Sequence, residues 1–132
     1  MDTQIGTEIT LTGTTLDAAR PKVEAALKEE GFGVLTEIDV QATLKKKLDV
    51  DFQPYVILGA CNPPLAYKAL QSDPMIGLML PCNVVLREEG GDVIVSLVDP
   101  MAMMDMGGNE ALKTVACEAA GRFKRVAEAL TT

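Results

Sequence analysis

Two dipeptides of identical composition, Cys61-Asn62 and Cys82-Asn83, occur at the ends of two apolar runs. A thiol can serve as a nucleophile, a redox partner or a soft-metal ligand, and a neighbouring amide offers donors and an acceptor that orient a bound molecule. If the two runs are neighbouring strands, both thiols come to one place. The candidate ligand site is then Cys61, Asn62, Cys82 and Asn83, with Asp99 as a further polar group ahead of Pro100. In its metal form the site uses Cys61, Cys82 and Met79, because thiolate and thioether sulfur favour Cu(I) over hard cations. Met75, Met101, Met103, Met104 and Met106 lie in the segments flanking the same hairpin.

Each of these residues also has a plainer use. Cysteine is among the most buried residue types, and methionine fills irregular gaps in cores and subunit contacts. Asn62 is placed to cap a helix, Asn83 to satisfy a bulge near Pro81, and Asp99 to form a turn. Cys117 sits beside the apolar stripe of the last helix, as a small packing residue would. No cysteine belongs to a Cys-x-x-Cys pair, so the thioredoxin-type redox motif is absent.

Histidine is missing from all 132 residues. That removes the Ser-His and Cys-His nucleophile pairs, histidine zinc sites, a histidine-ligated haem and the commonest general base near neutral pH. The glycines, Gly59, Gly77, Gly90-Gly91 and Gly107-Gly108, make no phosphate-binding pattern.

The elements that must position the thiols follow from periodicity. The stretch from Gly77 to Pro100 is two Val/Ile/Leu-rich runs around a charged Gly-Gly turn, the form of a β-hairpin. In its first run Leu78, Leu80, Cys82, Val84 and Leu86 share a parity and predict one apolar face, while Pro81, with no N–H to donate, predicts an edge or a bulge. Upstream, Ile5, Thr7, Ile9 and Leu11 alternate with polar residues and predict a first strand. Leu16, Ala19, Val23, Ala26 and Leu27 then predict an amphipathic helix closed by Gly31, with Pro21 in its first turn if it starts near Asp17, or at a bend.

Val34, Thr36 and Ile38 share one parity of a second strand, and Asp39 caps a short helix with Lys45, Lys46 and Lys47 in its last turn. The run from Pro54 to Cys61 is apolar on both parities, which predicts a central strand covered on both faces or at a subunit contact. Asn62-Pro63 opens a helix that ends at Asp73-Pro74. After Asp99-Pro100 comes a Met-rich loop with room for one helical turn. Asn109 then caps a long helix whose stripe is Leu112, Val115, Ala116, Ala119, Phe123, Val126 and Leu130. The sum is an α+β fold, helices on one face of a mainly antiparallel sheet, with space for a small-molecule pocket under the last helix.

A chain of this length is one domain, residues 1–132. Its formal net charge of −7 disfavours nucleic acid and anionic membrane surfaces. No secretory leader or bilayer-length apolar run is present, and three free-standing cysteines suit a reducing, cytoplasmic setting.

Four motifs occur in order: Glu29 to Val40 (EEGFGVLTEIDV), Leu58 to Tyr67 (LGACNPPLAY), Gly77 to Val85 with its Leu-Pro-Cys-Asn centre, and Val98-Asp-Pro-Met101. In these the chain resembles the domain of unknown function 302 (DUF302) family over nearly its full length. The resemblance implies a compact α+β domain of strand, helix, strands and helix in a TATA-binding-protein-like arrangement, pairing as a homodimer, and it transfers no catalytic role. Three functions follow: a homodimeric binding module for a small ligand or for Cu(I), a thiol-dependent enzyme or redox protein using Cys61 and Cys82, and a purely structural or interaction domain. Binding is preferred to catalysis, because the usual activators of a nucleophile are missing.

Overall fold

The structure, a computed structural model of the chain, describes residues 5–104 and 109–131, and the side chains of Met103 and Met104 lie outside that description together with Met106, Gly107 and Gly108. Along the chain come β1 (Gly6–Leu11), α1 (Leu16–Glu29), β2 (Gly33–Asp39), α2 (Val40–Leu48), β3 (Tyr55–Cys61), α3 (Pro63–Ser72), a 3₁₀ segment (Pro74–Met79), β4 (Cys82–Glu89), β5 (Asp92–Val98), α4 (Pro100–Met104) and α5 (Glu110–Leu130). The strands form one antiparallel sheet in the order β1-β5-β4-β3-β2. The expected α+β architecture is therefore present, with the anticipated succession of strands and helices.

Alternation along the strands decides which face is covered. Ile9 and Leu11, Val93, Val95 and Leu97, Val84 and Leu86, and Leu58 and Ala60 are buried on one side of the sheet. Onto that side pack Val23 and Leu27 of α1 and Phe123, Val126 and Leu130 of α5. The stripe expected of α5 is buried at every position except Val115, which is half-buried. Cys117 is exposed, so it fills no core position.

Local chemistry fixes the helix ends. The Thr15 hydroxyl accepts from Ala18 N–H at 3.3 Å, and the Leu16 N–H donates to the Glu88 carboxylate of β4 at 2.9 Å, so α1 is capped partly by the sheet. That tertiary cap sets the start of the helix at Leu16 and leaves Pro21 beyond the first turn, not within it. Pro21 faces solvent, where water can satisfy the carbonyl its missing N–H abandons. At the other end Gly31 takes a φ of 84°, Gly31 N–H bonds to Lys28 C=O at 3.0 Å and Phe32 N–H to Leu27 C=O at 2.9 Å. This Schellman closure turns the chain straight into β2.

Three expectations change in the structure. Only Cys82, Val84 and Leu86 belong to the apolar face of the hairpin: Leu78 lies in the 3₁₀ segment and is 80% exposed, and Leu80 precedes the strand. Pro81 marks neither an edge nor a bulge, since it ends the connection before β4, and β4 is an interior strand. The irregularity falls instead between Val34 and Thr36 of the edge strand β2. Val34 pairs with Ala60 on the helix side, while Thr36 and Ile38 pair with Gly59 and Ile57 on the other, so one parity is split between two faces.

Candidate ligand-binding site

Strand register brings the two cysteines to one end of the sheet but sets them on opposite parities, so the two thiols do not share a face as expected. Cys61 is the last residue of β3, Cys82 is the first of β4, and Ala60 stands directly opposite Cys82. Both cysteines line an apolar cavity of about 80 Å³ at this end of the sheet. Its walls come from α3 (Leu65, Ala66, Ala69), the 3₁₀ segment and its exit (Ile76, Met79, Leu80), and α5 (Leu112, Ala116, Ala119), with Phe32 beneath. The Phe32 ring stacks on Phe123 at a centroid distance of 4.4 Å, closing the cavity toward the main core.

Why this end stays open is a matter of side-chain size. α3 and α5 turn alanines toward each other at helical spacing, Ala66 and Ala69 against Ala116 and Ala119. Each presents only a methyl group, so the helices do not fill the space at the sheet end. Gly59 adds a constraint on the neighbouring strand: a Cβ there would stand 2.2 Å from Thr36 Oγ1 and 2.7 Å from Pro81 Cγ. The missing side chain lets Pro81 lie against β3, and this holds the entry of β4 beside Cys61.

The polar groups divide sharply. Asn62 lines the cavity and is buried, but its functions are spent on the fold. Its Oδ1 accepts from Leu65 N–H at 3.3 Å as the cap of α3, and its Nδ2 donates to Glu30 C=O at 3.3 Å. The same Glu30 carbonyl accepts from Arg122 Nη1 at 2.9 Å, and the Glu30 carboxylate meets Arg125 Nε at 2.8 Å. Two arginines of α5 therefore complement the negative end of α1. Asn83 is exposed, paired with Gly59, and does not line the cavity. Asp99 does not line it either; its Oδ1 accepts from Met101 N–H at 2.9 Å at the head of α4. Of the three polar groups expected to orient a ligand, only Asn62 reaches the space.

Burial pushes the Cys82 thiol up to about 11, with the nearby Cys61 charge as the lesser cause. At neutral pH Cys82 is a neutral, weakly polar group in an apolar wall. Met79 is the one methionine of the Met-rich segments that lines the cavity among the described residues, while Met75 is 68% exposed. The sequence reading missed Phe32 and the alanine pairs. The alanines were legible as small residues on the buried stripes, but not as facing one another across a gap.

No group of three or more His, Cys, Asp or Glu side chains suited to a metal occurs among the described residues. No helix among them is long and apolar enough to cross a membrane.

A twisted antiparallel sheet with helices on one side and a small apolar cavity at one end makes this an α+β domain of the open-faced class. The chain belongs to the family described as Domain of unknown function DUF302, which matches residues 7–130. It is similar to a solved structure, the crystal structure of an uncharacterized conserved protein DUF302 from Bacillus stearothermophilus, at 33% identity and a TM-score of 0.79, over 94% of this chain and 95% of that one. No curated protein matches it.

Proposed function

We propose that the domain is a binding module for a small, uncharged, apolar ligand held in the cavity between α3, α5 and the end of the sheet. The observation that carries this reading is the wall itself: about 80 Å³ of space lined almost wholly by aliphatic, alanine and thiol groups, whose one amide is already bonded on both sides. Apolar concavities lined in this way take apolar guests. A thiol-dependent enzyme fits less well, because burial keeps Cys82 protonated at neutral pH and the sequence has no histidine to activate it. A reducing, cytoplasmic setting would keep the thiols free.

The test is native mass spectrometry of untagged protein, together with amide spectra recorded under xenon pressure. A small adduct above 14.1 kDa, or xenon shifts centred on Ala60, Leu65 and Ala116, both lost in Ala116→Leu, is the expected result. A chain without an adduct and without xenon shifts at those positions overturns the reading.

The homodimer is proposed through the uncovered face of the sheet. There Ile38, Ile57 and Val85 form a cross-strand row, and Ile38 is 49% exposed in the single chain. Sedimentation should give twice 14.1 kDa for the wild type and a single chain for Val85→Lys. A monomeric wild type removes the dimer.

A further inference from the structure

The cavity is too small to hold most guests whole. Its volume of about 80 Å³ is little more than half the roughly 150 Å³ that encloses a benzene ring in an apolar core, so only about three or four carbons fit inside. The space is half-open, and the rest of a guest leaves through its open side. What lies next to it follows from the 3₁₀ segment Pro74–Met79, whose three residues per turn set the side chains on three faces. Ile76 and Met79 share the face that lines the cavity. Gly77 stands on the face toward α3, where an added Cβ would lie 3.9 Å from Leu70 Cδ2. Met75 and Leu78 share the remaining face and are 68% and 80% exposed, and Leu70 is 40% exposed. An apolar track therefore runs from the cavity wall onto the surface, outside the Ile38, Ile57 and Val85 row of the sheet. No ammonium or guanidinium group lines the space and the Asn62 amide is committed to Leu65 and Glu30, so a carboxylate or phosphate finds no partner there.

We infer that the guest is a single-chain aliphatic amphiphile with an uncharged head, in its simplest form a long-chain alcohol. Its methyl end sits among Leu65, Ala69, Leu112 and Ala116, its chain runs out across Ile76 and Met79 to Met75 and Leu78, and its hydroxyl stays in water. The inference rests on the cavity of the proposed function and adds the class of guest that its size and its apolar track select. A ring needs the larger volume and gains it only by displacing a wall. The driving force is apolar area removed from water, so affinity grows with each methylene while the chain is covered and stops growing once the chain outruns Leu78. The net charge of −7 works against an anionic head.

The experiment follows amide shifts of the whole chain during titration with 1-butanol, 1-hexanol, 1-octanol, 1-decanol, cyclohexanol and decanoate. Kd should fall about threefold to fourfold per added methylene over the covered length. Cyclohexanol should bind at least about tenfold more weakly than 1-hexanol, and decanoate at least about threefold more weakly than 1-decanol at low salt. Leu78→Ser and Met75→Ser, at exposed positions that leave the fold intact, should each weaken 1-decanol about threefold to tenfold and leave 1-butanol unchanged. A flat chain-length series, cyclohexanol as tight as 1-hexanol, decanoate as tight as 1-decanol, or both serine variants binding 1-decanol like the wild type overturns the inference. Sedimentation with phosphatidylcholine vesicles separates a free amphiphile from a bilayer lipid: no co-sedimentation is expected, and vesicle capture without 1-decanol binding overturns the inference as well. The two readings of the cavity fail separately, since absent xenon shifts remove the cavity itself, whereas xenon shifts with a flat alcohol series keep the cavity and remove the chain.

Discussion

The two ends of the helix-covered face are packed by different rules. At one end Val23 and Leu27 of α1, Val126 of α5, and Leu86, Val93 and Val95 of the sheet show no exposed surface. At the other, α3 and α5 meet through alanines and leave about 80 Å³ of open space at the ends of β3 and β4. Phe32 and Phe123 stack between them and act as the partition. A close-packed interior gains dispersion energy and excludes guests, whereas a wall of small residues gives up those contacts and keeps room for one. Close packing and open space thus lie at opposite ends of a single core.

The sharpest way to break this contrast is to truncate a leucine in each half. Leu27→Ala should cost about 3–5 kcal/mol, since the filled end cannot collapse around the loss, and Leu65→Ala at the cavity wall should cost nearer about 2 kcal/mol. Urea denaturation of both variants measures the difference, and equal costs would mean the ends are packed alike.

The thiol provides a pH-dependent version. The Cys82 thiol ionises near 9.0 when solvated and at about 11 when folded, so the unfolded chain loses its proton first. Its contribution is fully present below pH 9 and is lost as pH rises toward 11, on the order of 2 kcal/mol. The difference between wild type and Cys82→Ala, measured from pH 8 to 11, removes the background of other titrating groups. A difference that is flat across this range would mean that Cys82 is solvated.

A milder comparison adds volume instead of removing it. Ala19→Val, in the filled half at 2% exposure, should cost about 1–3 kcal/mol, whereas Ala116→Val, facing the cavity, should cost less than about 1 kcal/mol. Both sites are helical, so the propensity penalty cancels. Thermal melts of the pair report the space directly.

The smallest effect belongs to the rim. Arg20 meets Glu24 at 3.3 Å and grips Glu37 of β2 with both terminal nitrogens, and its guanidinium holds the Glu37 carboxyl below its usual range. Because this pair is solvated, Arg20→Ala should move the melting midpoint least of the variants, and less still in high salt. A shift as large as that of Leu27→Ala would move the stabilising centre out of the core.

Much of the fold was written in local chemistry. The α5 stripe, the Asn62 and Asn109 caps, Asp39 at the head of α2 and Gly31 at the end of α1 could each be read from the sequence. Each rests on a short-range rule of periodicity or backbone bonding. Leu78 and Leu80 were misassigned for the same local reason, since an apolar parity continues across Pro81 although the strand does not. The bulge at Val34/Thr36 and the start of α1 depend on Gly59, Pro81 and Glu88, residues distant in the chain, and no local pattern announces them.

The candidate site divides in the same way. Residue order alone supplies the inventory: two Cys-Asn pairs, a flanking methionine, small residues on two helices and no histidine. The tertiary structure alone decided that Cys61, Cys82 and Met79 line one space while Asn83 and Asp99 do not. It also decided that Asn62 serves the backbone of α1 and α3. The physical reason is that strand register and the meeting of two helices are set by the whole buried surface at once. Residue identity supplies only the groups that such a surface can bring together.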